Sequence, residues 1–406
     1  MTDSTTNYPK LRNIEAHPYR HEGQDMVLLR DTECITENSL LVPKQTIYII
    51  SMMDGTRTPR DIQAEYMRAT GDLIYIEQIE NLIDIMDKNL LLANDNFNRQ
   101  LSILKASYEK NPIREPFLAG KSYPSNRMEL LISLDEMLKD GRGNKNEGKI
   151  TGLLAPHIDY SRGGEVYSAT YSHLHNMGKT LLIIFGTSHR LTEKIWNISI
   201  KDFLTPLDTV PNSKEFCRLI KENALLRRYI DEWPHRSEHS IELQLPIMQF
   251  TIHDDFEILP ILTGSMHEFI EGTKDLKTDY ELADIIGNFR MILEQYGRSN
   301  IIVAGADLAH IGEQFGDRYA LDFSTLNISK TKDEELLGYI ANVDAEGFFE
   351  TVRKERDRRK ICGLAPIYFQ LKFLEGSICK ISGYKQWTDG RSSVSFAGGV
   401  FYSKNN

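Results

Sequence analysis

Residues 153–164 read LLAPHIDYSRGG. An apolar run, 150–155, stops at Pro156, and His157, Asp159 and Tyr160 follow before a glycine pair, Gly163 and Gly164. This is the pattern of a buried strand whose tip turns into a helix. In open α/β sheets the carboxyl ends of strands are where ligands bind. The same grammar recurs twice. Residues 181–185 (LLIIF) lead into GTSHR, with His189, and residues 301–305 (IIVAG) lead into ADLAH, with Asp307 and His310. One histidine past a strand is ordinarily a hydrogen-bonded structural residue. Three in the same local setting point to a site.

Composition narrows the function class. The chain has 406 residues, enough for two domains and a large core. With 48 basic against 58 acidic residues, the net charge of -10 leaves no basic footprint for nucleic acid. No apolar run has membrane-spanning length. The N-terminal stretch MTDSTTNYPKLRNIE lacks the apolar core of a secretory signal. Cys34, Cys217, Cys362 and Cys379 are too few and scattered for a disulfide framework or a CxxC zinc site. A cytoplasmic setting is expected.

Residues 1–12 read as a loose tail. Residues 13–97 read as a small separate α+β unit, with short strands at 25–30 and 40–42 followed by three helices. Thr58-Pro59 starts the second helix as cap and first-turn proline. His17 and His21 sit at its polar start and read as solvated. Residues 98–113 are polar and mixed, a linker. The larger domain, 114–406, opens with a helix over 128–138 and a charged, glycine-rich loop over 140–148. Further helices are expected over 165–177, from Asn212 as cap, over 238–250 despite Pro246, and over 280–296 with Gly297 as C-cap. An acidic helical region over 333–355 and a helix after Cys362 follow. Strands are expected over 196–210, 256–262, 377–385 and 394–402. Strands alternating with helices imply an α/β fold, a central mixed sheet covered by helices on both faces.

His157, His189 and His310 are the metal or acid/base candidates, since neutral imidazole is a common ligand and titrates near neutral pH. Asp159 and Asp307 stand close to two of them, as ligands or as acids that orient a ligating imidazole. Aspartate also caps helices and shapes turns, so for Asp159 both roles stay open. The 233–237 stretch, WPHRS, reads as a loop able to cover a pocket, and Glu238 and His239 open the helix behind it. His239 and Glu242, three apart, form a weak ligand pair. Cys362 stands where a loop enters a helix, a place that favours thiolate and suits a ligand or a nucleophile. The other three cysteines read as buried fillers within strands or helices.

APHIDY, GTSHR, EHSIELQLP, ADLAH and ICGLAP, in this order, resemble the motifs of the Memo family, called AmmeMemoRadiSam system protein B in prokaryotes. The likeness spans about 114–402 and begins with FLAGKSYP at 117–124. The family resembles class III extradiol dioxygenases in fold. By that resemblance His157, His189 and Cys362 match the metal-site positions, while Asp307 and His310 match the remaining cleft residues. His310 stands where the dioxygenases keep a catalytic base, with Asp307 expected to orient it. Ile158-Asp159 replaces the Ala-Gly of many members, and Ala309 a cysteine of some. Asp159, Tyr160, Glu238 and His239 are the expected substrate-facing residues. The N-terminal unit resembles the small winged-helix peptide-recognition domains of radical-SAM systems, on its strand-then-helix order and the turn MDGTRT at 53–58.

Two readings follow. In the first, the chain is a metal-dependent, dioxygenase-like oxidoreductase holding iron or copper in preference to zinc, with a small molecule or peptide as substrate and a radical-SAM protein as partner. In the second, the same cleft binds a peptide or partner without catalysis. A cysteine hydrolase is the further option a Cys–His pair leaves open.

Overall fold

The apolar runs that end in histidines lie side by side. In the computed structural model, which describes residues 7–36, 38–141, 148–175, 178–319 and 321–404, they are neighbouring parallel strands of one eight-stranded sheet. The chain divides into two units, Met1–Asn111 and Pro112–Asn406.

The first unit places β1 (Ile14–His21), β2 (Gln24–Asp31) and β3 (Leu40–Pro43) in an antiparallel sheet, followed by α1 (Thr46–Ser51), α2 (Pro59–Thr70), α3 (Ile76–Lys88) and α4 (Asp95–Lys110). Val27, Leu29, Val42, Ile49, Ile62, Ile79 and Ile83 form its core. Thr58 and Asp61 close a capping box at α2, and Gly71 ends that helix at φ 77. Three expectations change here. The segment expected as a linker, 98–113, is largely helix, because Asn94 caps α4 and Phe97 is buried under Arg12. The expected tail, 1–12, lies outside the described residues up to 6, whereas Lys10 and Leu11 bridge to Asp54 and Leu92. Cys34 is a half-buried loop residue with φ 49, not a filler within a strand.

The second unit begins with β4 (Ile113–Arg114) and α5 (Arg127–Leu138). The glycine-rich loop expected after α5 lies, at 142–147, outside the described residues. Next come β5 (Ile150–Ala155), α6 (Tyr160–Tyr171), β6 (Thr180–Thr187), β7 (Trp196–Ile198), β8 (Asp202–Leu204), β9 (Thr209–Val210), α7 (Lys214–Glu222) and α8 (Gln244–Thr251). Then follow β10 (Phe256–Thr263), α9 (His267–Glu271), α10 (Tyr280–Tyr296), β11 (Asn300–Gly305), β12 (His310–Gly312), α11 (Phe323–Ala341), α12 (Ala345–Lys354), α13 (Leu364–Phe373), β13 (Ser377–Thr388) and β14 (Ser392–Ser403). The main sheet runs β12-β14-β5-β11-β6-β10-β7, with β13 on β14. β5, β11, β6 and β10 are parallel; β14 and β7 are antiparallel to their neighbours, so the sheet is mixed.

Strand alternation builds two cores, one on each face. Leu181, Ile183, Phe185, Ile302 and Ala304 join Phe216, Phe289, Phe348 and Phe369 from α7, α10, α12 and α13. Leu182, Ile184, Ile301 and Val303 join Leu130, Leu134, Tyr167, Leu245 and Ile247 from α5, α6 and α8.

Helix starts differ from the sequence reading for local reasons. α6 begins at Tyr160, because Asp159 caps it by accepting from the Arg162 amide. Its glycines therefore fall inside the helix, where a Cβ on Gly163 would press on Ile158 and Tyr167. α7 is capped by Ser213, while the Asn212 amide donates to the Ser199 and Lys201 carbonyls. α8 starts only at Gln244, which puts Pro246 in the first turn, where its missing N–H is harmless.

A buried arginine ties the start of this unit to the segment before α8. Arg114, fully buried, donates to the Glu242 carboxylate, to the His235 carbonyl at 3.0 Å and to the Glu238 carbonyl at 2.9 Å. Glu242 also accepts from the Phe117 and Leu118 amides at 3.0 and 2.7 Å and from the Tyr123 hydroxyl at 2.5 Å. Glu242 is thus structural, not a ligand partner for His239. The 233–237 stretch is a 3-10 turn whose His235 is buried against the Asn197 carbonyl, not a lid.

Removing one partner of a buried ion pair leaves the other charge stranded. Arg114→Met should therefore cost about 3–5 kcal/mol. Trp196, Trp233 and Trp387, the chain's three tryptophans, all lie in the second unit, so denaturant unfolding followed by their fluorescence reads that unit alone. Burial also pushes His235 down to about 4 from its ordinary 6.5. The unfolded chain binds this proton more readily, so the contribution to stability is complete above 6.5 and lost as pH falls toward 4. His235→Asn should flatten the fall in fluorescence-monitored stability over that acidic range; an unchanged slope would place the dependence elsewhere.

Candidate metal centre

The site forms at the carboxyl ends of three adjacent strands. His157 follows β5, His189 follows β6, and Asp307 and His310 follow β11. Cys362 arrives from the other side of the chain, just before α13, with Gly363 as that helix's cap. Gly363 is needed there: its amide donates to the Asp307 carbonyl at 3.0 Å, and a Cβ would lie 2.3 Å from that oxygen.

Each candidate imidazole is aimed by an acceptor. His157, 2 % exposed, places Nδ1 2.9 Å from the Gly305 carbonyl. His189 places Nδ1 2.9 Å from Glu238 Oε1. With both Nδ1 atoms donating, both Nε2 atoms carry the free lone pair. Cys362 Sγ lies 3.3 Å from His157 Nε2. The two imidazole rings meet edge-on, centroids 5.0 Å apart. Ligand atoms of His157, His189 and Cys362 all lie within 4.8 Å of one another.

That donor set suits a transition metal. Ligands at about 2.0–2.1 Å (nitrogen) and about 2.3 Å (sulfur) around a tetrahedral ion stand on the order of 3.3–3.7 Å apart. The His157–Cys362 separation already falls in this range, and the fixed tautomers supply the correct lone pairs. Burial pushes the Cys362 thiol well above its ordinary range and His157 well below its own, so without an ion both donors are neutral.

A second cluster, His189, Glu238 and His239, also lies within ligand reach. Its carboxylate is already occupied. Glu238 accepts from the His189 amide at 2.8 Å, the His239 amide at 2.7 Å and the Ser240 amide at 3.1 Å, besides the Nδ1 atoms of His189 and His239. Burial raises its pKa, but the two imidazoles outweigh burial and hold it well below the usual carboxylate range. Glu238 is a buried orienting acid, not the substrate-facing residue expected from its sequence.

The other candidates separate in the same way. Asp307 is buried and accepts from the His157 amide at 2.9 Å; burial raises it to about 7. It braces His157 and does not orient His310, whose Nδ1 instead meets the Leu308 carbonyl at 3.1 Å. Burial lowers His310 to about 4, so it is neutral near pH 7. Tyr160 is buried in the core, its hydroxyl on the Leu243 carbonyl at 2.6 Å, and is not among the described residues that line the cleft. Asp159 caps α6 and also walls the cleft.

His157, His189, His239 and His310 line one cleft of about 370 Å³, with Asp159, Arg162, Leu118, Leu243, Phe315 and Val394 around them. Cys362 faces a neighbouring cavity of about 240 Å³. A roomier hollow of about 660 Å³ beside α10 and α12 is rimmed by Lys274, Arg290, Arg353 and Lys372. Each of these four is paired with a carboxylate, Lys277 also lines the hollow, and no histidine or cysteine does among the described residues. The candidate histidines gather in the smaller cleft. Sequence reasoning missed Arg162 and the bracing role of Glu238. The first carried a signal in its spacing, three residues after the capping Asp159.

An amide at position 238 can neither supply two acceptor oxygens nor carry the charge that faces two imidazoles. Glu238→Gln should therefore weaken metal affinity about 10–100-fold, read by chelator competition, with the fold intact by fluorescence.

The profile of the family described as Memo-like protein matches residues 114–400. A MEMO1 family protein of Aquifex aeolicus is 28% identical over 401 residues, covering 97% of this chain and 100% of the relative. One of Pyrococcus abyssi is 30% identical over 252 residues, 60% of this chain and 81% of its own. One of Methanosarcina barkeri is 27% identical over 255 residues, 63% of this chain and 84% of its own. The Aquifex match is long enough to include a counterpart of the N-terminal unit. With the profile spanning every one of the strand ends that build the cleft, the chain belongs to the Memo-like family.

Proposed function

We propose that the second unit is a metal-dependent oxidoreductase in which His157, His189 and Cys362 hold one transition-metal ion, iron or copper in preference to zinc. The observation that carries this reading is the meeting of Cys362 Sγ and His157 Nε2 at 3.3 Å, beside a second imidazole whose tautomer is also fixed. Mixed imidazole and sulfur ligation suits these metals, and when bound the ion would supply one-electron or Lewis-acid chemistry.

The protein's own residues supply the rest. Gly305 and Glu238 hold the ligating imidazoles, and Asp307 fixes the His157 backbone. His310, neutral and packed edge-on against Phe315 at 4.9 Å, is available in the cleft to accept a proton from substrate. A dioxygenase-like reaction is the finer form of this reading. The N-terminal unit is proposed as the module that reads a peptide substrate or a radical-SAM partner.

Elemental analysis of protein purified without added metal tests the assignment. The wild type should carry metal near stoichiometry, His157→Ala and His189→Ala should lose it, and His310→Ala should keep it. Cobalt(II)-loaded wild type should show a thiolate charge-transfer band that Cys362→Ser lacks. Metal retained in Cys362→Ser with an unchanged cobalt spectrum would take the thiol out of the coordination sphere. Metal-free wild type would instead favour a binding cleft.

A further inference from the structure

We propose that the cleft takes a small organic carboxylate, and that Arg162 is the residue that selects it. This rests on the cleft being the ligand site, as proposed above. Arg162 is the one lysine or arginine among the described residues that line it. The guanidinium is held from two directions. Its carbon lies 3.9 Å over the Trp387 ring, and its Nε lies 3.1 Å from Asp159 Oδ2. Stacking fixes the plane of the group, and the single contact to Asp159 fixes its rotation about the stack.

These contacts leave the terminal nitrogens over. Nη1 and Nη2 have no hydrogen-bond partner among the described residues. A planar fork with two unused donors matches a planar carboxylate with two acceptor oxygens. Competition from the protein's own acids is small. Asp159 is engaged by the Arg162 amide at 3.1 Å, by the Ser161 hydroxyl and by Nε, while Asp307 is buried against the His157 amide. The amino end of α6, where Arg162 sits, adds favourable potential for an anion.

The rest of the cleft sets the body of the ligand. Leu118, Leu243, Phe315 and Val394 present apolar surface, and about 370 Å³ admits only a compact molecule. The anionic end would sit at the Arg162 fork, and the apolar body would lie across the imidazoles.

Benzoate and benzamide, alike in shape and different in charge, are the probes. Binding of each to the full chain is measured by calorimetry or ligand-observed NMR, beside metal content. Benzoate should bind about tenfold more tightly than benzamide. Arg162→Gln should abolish that preference, and Arg162→Lys should restore only part of it, with metal content unchanged in both. Equal affinities in the wild type, no detectable benzoate binding, or a preference that survives in Arg162→Gln would each overturn the inference. The last result would mean direct ligation of the carboxylate to the metal. The two proposals fail separately: an Arg162-dependent preference in metal-poor protein sinks only the metal reading, and metal-replete protein without the preference sinks only this one.

Discussion

The site depends on one buried cation. Arg114 enters at the first strand of the second unit and spends its donors on the 235–242 segment, reaching two carbonyls and the Glu242 carboxylate. Beyond the 3-10 turn that ends at Ser237, that segment has no helix to stiffen it, since α8 starts only at Gln244. The arginine and its carboxylate fix it instead. Glu238 then stands where its carboxylate takes the His189 amide and ring together. The chain of cause runs from a core ion pair to a turn, from the turn to a carboxylate, and from the carboxylate to an imidazole. Desolvating Arg114 costs several kcal/mol, and the close contact with Glu242 and the carbonyls offsets it only as a complete set. The geometry of the cleft and the stability of the fold are therefore drawn from the same interactions.

A second constraint is how closely β5, β11 and β6 bring their ends together. Gly305 and Gly186 are paired across β11 and β6, and the Ser240 turn lies directly on both. A Cβ at Gly305 would sit 2.6 Å from the Ser240 carbonyl, and one at Gly186 would sit 2.6 Å from the Ser240 hydroxyl. The Glu238 turn can settle onto the strand ends only because these positions lack side chains. The Gly305 carbonyl is then exposed to His157 Nδ1. Backbone approach, more than any catalytic side chain, sets the tautomer of that imidazole.

Much of this was legible in the sequence. The unbroken apolar runs mark the strands because each is buried on both faces, and the three histidines converge because the strands that carry them are neighbours. The convergence of Cys362 rested on motif likeness, since nothing in local spacing links position 362 to 157. Tyr160 and Glu238 were misread for a common reason. Their neighbours in sequence face the cleft, but helix and turn geometry sends alternate side chains inward, and both residues end in buried hydrogen bonds. The helix Asp95–Lys110 was hidden by its polarity. It has one well-buried residue, Phe97, near its start, so no long apolar stripe marks it.

The two proposals assign a cation and an anion to different places in the cleft. Burial keeps His157 and Cys362 neutral, and the ionised carboxylate of Glu238 lies behind His189 and His239, away from the open side. A metal ion bound to neutral imidazoles and a thiol must displace the thiol proton, so its charge is only partly met by its ligands. Glu238 would balance part of the remainder through His189. The rest would be left to the cleft, which Arg162 also lines. An anionic substrate would complete that charge balance from outside, and this gives the proposed metal and the proposed carboxylate a shared electrostatic reason. In the proposed reading, the metal and Arg162 would together set a local charge against the chain's net charge of -10, which would otherwise repel small anions from its surface.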